Sequence, residues 1–107
     1  MTANLESCLI RENVIQGSTV ANGLRVDSPT SLVIGNVATG NAGSGLLIGG
    51  QNSLVELNHL GGNSNHGLVC GGLQSHAYRN NMLRGSTPFP VNTMSCEFSS
   101  DAGGNIR

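Results

Sequence analysis

Gly45-Leu46-Leu47-Ile48 decides the fold of this 107-residue chain, because the phrase stands 22 residues earlier as Gly23-Leu24-Arg25-Val26 and 22 residues later as Gly67-Leu68-Val69-Cys70. A period of that size, with no helical segment inside it, belongs to a short unit stacked on copies of itself, none of which can bury its apolar face alone. Outward from that phrase, a second one fills the other half of each period. Asn13, Asn36, Asn58 and Asn81 lie 23, 22 and 23 residues apart. Ile10, Val33, Val55 or Tyr78 precedes each by three residues; Ile15, Ala38, Leu60 or Leu83 follows by two, and Gly17, Gly40, Gly62 or Gly85 by four.

The apolar residues alternate, as Leu24 and Val26 do about Arg25, which suits short strands that turn every second side chain inward. Asn bonds its own backbone and tolerates left-handed conformation, and Gly reaches positive φ without a clash, so both mark corners. The repeated asparagines are read as those structural corners. Helical periodicity is absent, and 16 Gly would oppose it. The expectation is an all-β chain, one domain over residues 1–107, with about four coils of 22–23 residues and three short strands per coil from about 8 to 88. An irregular capping tail follows over 89–107, with Phe89 and Phe98 as a lid or as part of a degenerate coil, and a flexible end from Ser99. Only Met1 to Ser7 precede the first coil, too few for a capping helix, which leaves unpaired strand edges there.

The run Val55-x-x-Asn58-x-Leu60-x-x-Asn63 followed by Gly67-Leu68-x-Cys70 resembles the repeat of the right-handed parallel β-helix, pectin-lyase-like superfamily, in which an Asn-marked corner precedes a Gly-Ile-x-Val strand. The resemblance covers roughly Leu9 to Leu83. It implies a right-handed solenoid. It also implies a spread of activities, from polysaccharide lyases, hydrolases and epimerases to phage tail spikes and non-catalytic surface proteins, and fold does not choose among them. A left-handed β-helix would show a hexapeptide rhythm and a leucine-rich repeat more regular leucines; the chain has neither.

Glycan cleavage on such a scaffold needs carboxylates converging on one groove, as acid and base or as calcium ligands. Glu6, Glu12, Asp27, Glu56, Glu97 and Asp101 are scattered, and no two share a column on adjacent coils. One charged pair does stack: Glu56 and Arg79 each stand two residues before a corner Asn on neighbouring coils, with Arg11 and Ile34 completing the column. A ladder ion pair is the simpler reading. His59, His66 and His76 occupy three different columns, although histidine is the usual general base or ligand; solvent-facing or corner roles are expected. Leu47 and Val69, beside Arg25, would stand side by side on an outer sheet face as an interface. The column of Leu9, Leu32 and Leu54 adjoins that of Ile10, Val33 and Val55, and only one of the two can face inward.

The expected function is a non-catalytic scaffold or binding module, a homo-oligomer through an outer sheet face or an open terminal coil, with carbohydrate as candidate ligand and no metal or cofactor. The alternative is a small polysaccharide lyase or hydrolase whose groove a second subunit completes, using Glu56, Arg79 and His59. Five Arg against six acids give a net charge of −1, which lacks the basic stripe of a nucleic-acid surface. Neither an 18-residue apolar run nor a signal peptide is present in this stretch, so no membrane contact is expected. Cys8, Cys70 and Cys96 show no metal spacing. Cys70 takes the inward place of Val26 and Ile48 and reads as a small core hydrophobe; reduced thiols point to a cytoplasmic setting.

Overall fold

A computed structural model of the chain describes residues 2–3, 8–71, 75–85 and 100–106. Its strands are β1 (Thr2–Ala3), β2 (Leu9–Arg11), β3 (Val14–Gln16), β4 (Leu24–Val26), β5 (Leu32–Ile34), β6 (Val37–Thr39), β7 (Leu46–Ile48), β8 (Leu54–Glu56), β9 (Leu68–Cys70), β10 (Ala77–Arg79) and β11 (Ser100–Asp101). No helix occurs among the described residues. All the strands pair in parallel, into sheets ordered β1-β4-β7-β9, β2-β5-β8-β10-β11 and β3-β6. The third sheet continues past β6 only as single bridges, Val37 to His59 to Met82 to Ile106. The result is a parallel β-solenoid of about three turns, fewer than the four expected. The chain explains the difference: three Gly-Leu phrases build β4, β7 and β9, and none follows Gly85.

The register is that of the sequence columns. Leu24, Leu46 and Leu68 stack on one another, as do Val26, Ile48 and Cys70, and all are at most 2% exposed. Ile10, Val33, Val55 and Tyr78 form the second inward column, and Ala38, Leu60 and Leu83 the third. The open choice between adjoining columns is therefore resolved: Ile10 faces the core, and Leu9, 57% exposed, faces out. Burying each Leu, Val or Ile stabilises the stack by roughly 1.5–3 kcal/mol.

The corners are built differently from the sequence expectation. Positive φ falls one residue before each corner Asn, at Glu12, Gly35, Leu57, Asn80 and Gly104, while the asparagines themselves lie outside the left-handed region. Their side chains form a ladder. The backbone N–H and Nδ2 of Asn13, Asn36, Asn58 and Asn81 each donate to Oδ1 of the asparagine one coil on, at 2.9–3.0 Å, ending on Asn105. Nδ2 also reaches back to the carbonyls of Ile10, Val33 and Val55 from Asn36, Asn58 and Asn81.

Two further ladders hold the other corners. Ser18 and Asn41 N–H groups donate to Asn41 and Asn63 Oδ1. Asn63 Nδ2 lies where a Cβ on Gly45 would come within 2.7 Å, so the Gly of the deciding phrase makes room for the Asn of the next coil. On the third corner, Cys8, Ser31 and Ser53 N–H groups donate to Ser31 Oγ, Ser53 Oγ and His76 Nδ1. Every buried side-chain polar atom among the described residues has a partner, as close packing requires.

Two expectations about the ends need correction. Cys70 is disulfide-bonded, so it is a cross-link as well as a core side chain; Cys96 lies outside the described residues. Ser100–Ile106 is not a loose end. β11 pairs with β10, Asn105 joins the ladder and Ile106 bridges Met82, where the backbone N–H groups of Asn80 and Leu83 find acceptors in the Gly103 and Ile106 carbonyls. Phe89 and Phe98 fall outside the described residues.

Candidate functional site on the outer faces of the stack

A filled core leaves function to the outer faces, where side chains one period apart become neighbours. On the β2-β5-β8-β10 sheet, the parallel register sets Arg79 beside Glu56. The Arg79 Nε to Glu56 Oε2 distance is 2.7 Å, with side-chain exposures of 48% and 15%. Such a pair contributes about 0–1 kcal/mol where solvent screens it. His59 is exposed on the third sheet, beyond the Leu57–Asn58 corner, bridging Val37 and Met82. The stack therefore joins Glu56 to Arg79 and puts His59 on a different sheet.

Arg25 bonds Asp27 at 2.9 Å, across one residue of its own coil. Beside it, Leu47 and Val69 are direct register partners and both face outward, half-buried. Among the described residues, the large exposed apolar side chains stand elsewhere: Leu9, Val14, Val20, Leu57 and Ile106. Val14 and Ile106 share the column of His59. That stripe was visible in the sequence as Val14, Val37 and Met82 one residue after each corner Asn.

The histidines differ in setting. His76 is buried, its Nδ1 accepts the Ser53 N–H at 3.2 Å, and its Nε2 lies 3.4 Å from the Gly71 carbonyl. That network assigns the proton to Nε2. Burial pulls its pKa below 6.5, and the Gly71 carbonyl partly opposes the shift. His76 is thus a neutral ladder member, in the place Ser31 and Ser53 hold. Among the described residues, no three His, Cys, Asp or Glu side chains gather as a metal cage. No described helix is long and apolar enough to cross a membrane.

No protein-family model, curated protein or solved structure matches this chain.

Proposed function

We propose that this chain is a non-catalytic β-helix scaffold or binding module, right-handed and akin to the pectin-lyase-like superfamily, which self-associates through an outer face or an end of its stack. The state of its carboxylates carries this reading. Glu56 is held by Arg79, Asp27 by Arg25, and Asp101 by the Gly103 N–H and Asn105 Nδ2. Of the described acids only Glu12, at an exposed corner, has no such tie. Glycosidic cleavage needs two carboxyl groups facing each other across a substrate, one to protonate and one to attack or activate water. What the stack offers instead is flat parallel faces with repeating columns, suited to contact rather than chemistry. A carbohydrate is the candidate small ligand, although Tyr78 is buried in the core and supplies no exposed ring for a sugar to stack on.

The short Glu56–Arg79 contact favours one alternative, a polysaccharide lyase or hydrolase with a groove completed by a second subunit and His59 at its edge. Incubation with acidic and neutral polysaccharides, with and without calcium, separates the two. The scaffold releases no unsaturated or reducing ends. Release that disappears in Glu56→Ala overturns the scaffold reading.

A further inference from the structure

We propose that the outer face of the β2-β5-β8-β10 sheet is the contact surface for a second copy of this chain, through a two-fold axis parallel to the strands and centred over Leu32 and Ile34. This rests on the self-associating scaffold reading and names its surface. The two large sheets present different outer faces. In β4, β7 and β9 the first and third residues are buried, which leaves a single outward column of Arg25, Leu47 and Val69. In β2, β5, β8 and β10 only the middle residue is buried, and the residues on either side of it face out. That face therefore carries two columns side by side. Leu9, Leu32, Leu54 and Ala77 form one, apolar throughout; Arg11, Ile34, Glu56 and Arg79 form the other. Three leucines from successive coils, with Ile34 beside the middle one, make a continuous apolar patch of the kind that marks an interface.

Charge complementarity selects a second copy as the occupant. Two faces related by a two-fold axis have that axis in the plane between them, and an isologous contact pairs each residue with its reciprocal. An axis parallel to the strands keeps every residue opposite its own column and reverses the order of the coils. Placed over β5, it sets β2 against the partner copy's β8. Leu32 and Ile34 then meet their own copies at the centre, Leu9 meets the partner's Leu54, and Arg11 meets the partner's Glu56, the last two contacts occurring twice. Glu56 accepts from Arg79 Nε through Oε2, and a carboxylate has the capacity to accept from two arginines. Arg11 is exposed and stands beside Ile34 in its own chain, two coils from Glu56.

Other placements serve the face less well. An axis midway between β5 and β8 sets Arg11 against the partner's Arg79, and one over β8 sets Glu56 against the partner's Glu56. An axis running up the stack between the columns sets Leu54 against the partner's Glu56. An axis midway between β8 and β10 pairs Glu56 with the partner's Arg79 but leaves Leu9, 57% exposed, uncovered. Faces of a body 27 × 24 × 21 Å fall at or below the small end of specific interfaces, about 1,200 Å² in total, so the dimer is weak and reversible.

Sedimentation equilibrium from micromolar to millimolar protein tests this, with circular dichroism melts to show that each variant folds. The parent should approach twice the 11.0 kDa of the chain. Arg11→Glu sets like charges across the axis twice and should raise the dissociation constant about tenfold or more. Glu56→Arg combined with Arg79→Glu keeps an ion pair inside the chain but reverses its sense, and should weaken the dimer equally, because Arg11 then faces an arginine. An equimolar mixture of these two variants should re-form a dimer, since both pairs across the axis are again opposite in charge. In parent protein of which half is isotope-labelled, a filtered Overhauser spectrum should show Leu9 methyls against Leu54 methyls, whose backbones within one chain stand two strand spacings apart, about 9.6 Å. A dimer that survives both charge variants, a mixture that stays monomeric, or a dimer without the Leu9–Leu54 contact overturns this face and leaves self-association through another. A parent chain that is monomeric throughout overturns both, and a different occupant is then required.

Discussion

Asn58 Oδ1 accepts both the backbone N–H of Asn36 at 2.9 Å and its side-chain amide at 3.0 Å, while Asn58 Nδ2 donates to the carbonyls of Val33 and Glu56. One side chain thus joins two coils as acceptor and as donor at once. Asp lacks the donor, and a Ser hydroxyl carries a single donor hydrogen where Asn carries two.

Asn58→Ala should therefore strand the Asn36 N–H inside the stack and take a side-chain donor from the Val33 carbonyl, at a cost of about 1–3 kcal/mol. Asn13→Ala, at the first rung, should cost less than about 1 kcal/mol, since Asn13 Oδ1 receives no described donor. Urea unfolding midpoints of the two variants should separate accordingly.

Leu57 sits at φ 57° with its side chain 58% exposed. Left-handed backbone costs a branched residue about 1–2 kcal/mol, which exceeds the entropy Gly loses on folding. Leu57→Gly should stabilise the protein by about 0.5–1 kcal/mol. Gly35→Ala, at φ 68° with nothing nearer than 3.8 Å to the added Cβ, should destabilise it through strain alone. Thermal melts of both variants check the sign.

His76 links stability to pH. Its folded pKa lies below 6.5, burial being the main cause, so the unfolded chain takes up a proton first as pH falls. Its contribution is present above pH 6.5, falls as pH drops through 6.5, and stops falling once the folded imidazole also protonates. His76→Ser, which restores the hydroxyl acceptor of Ser31 and Ser53, should flatten that part of a stability–pH curve measured by denaturant unfolding between pH 7 and about 5. An unchanged slope would remove His76 as its source.

The Cys70 cross-link should make stability depend on redox state. Reduction should cost about 2–4 kcal/mol, read as a drop in melting temperature with dithiothreitol. A non-reduced digest should show the Cys70 peptide joined to another cysteine peptide. A free Cys70 thiol in oxidised protein would contradict the cross-link.

The sequence made the inward columns legible because Leu24, Leu46 and Leu68 recur at one spacing and keep one chemical character. It also marked the corner asparagines and the Glu56–Arg79 pair. The third ladder was hidden because Cys8, Ser31, Ser53 and His76 differ in type, although the last three share the acceptor role. Asn105 escaped the count because Gly103–Gly104 lengthens its spacing from Asn81 to 24 residues. The left-handed corner was masked in the same way, since Glu12, Gly35, Leu57 and Asn80 share a backbone conformation and no side-chain chemistry. The adjoining columns of Leu9 and Ile10 were both apolar, so alternation alone could not orient them.

The most direct test of the stacked register is a nuclear Overhauser spectrum of labelled protein. Coil-to-coil cross-peaks are expected between Asn36 and Asn58 amide protons and along the methyl column Leu24, Leu46 and Leu68. Methyl cross-peaks that pair these leucines with residues of other columns, or a far-ultraviolet spectrum dominated by helix, would contradict the solenoid and everything built on its columns.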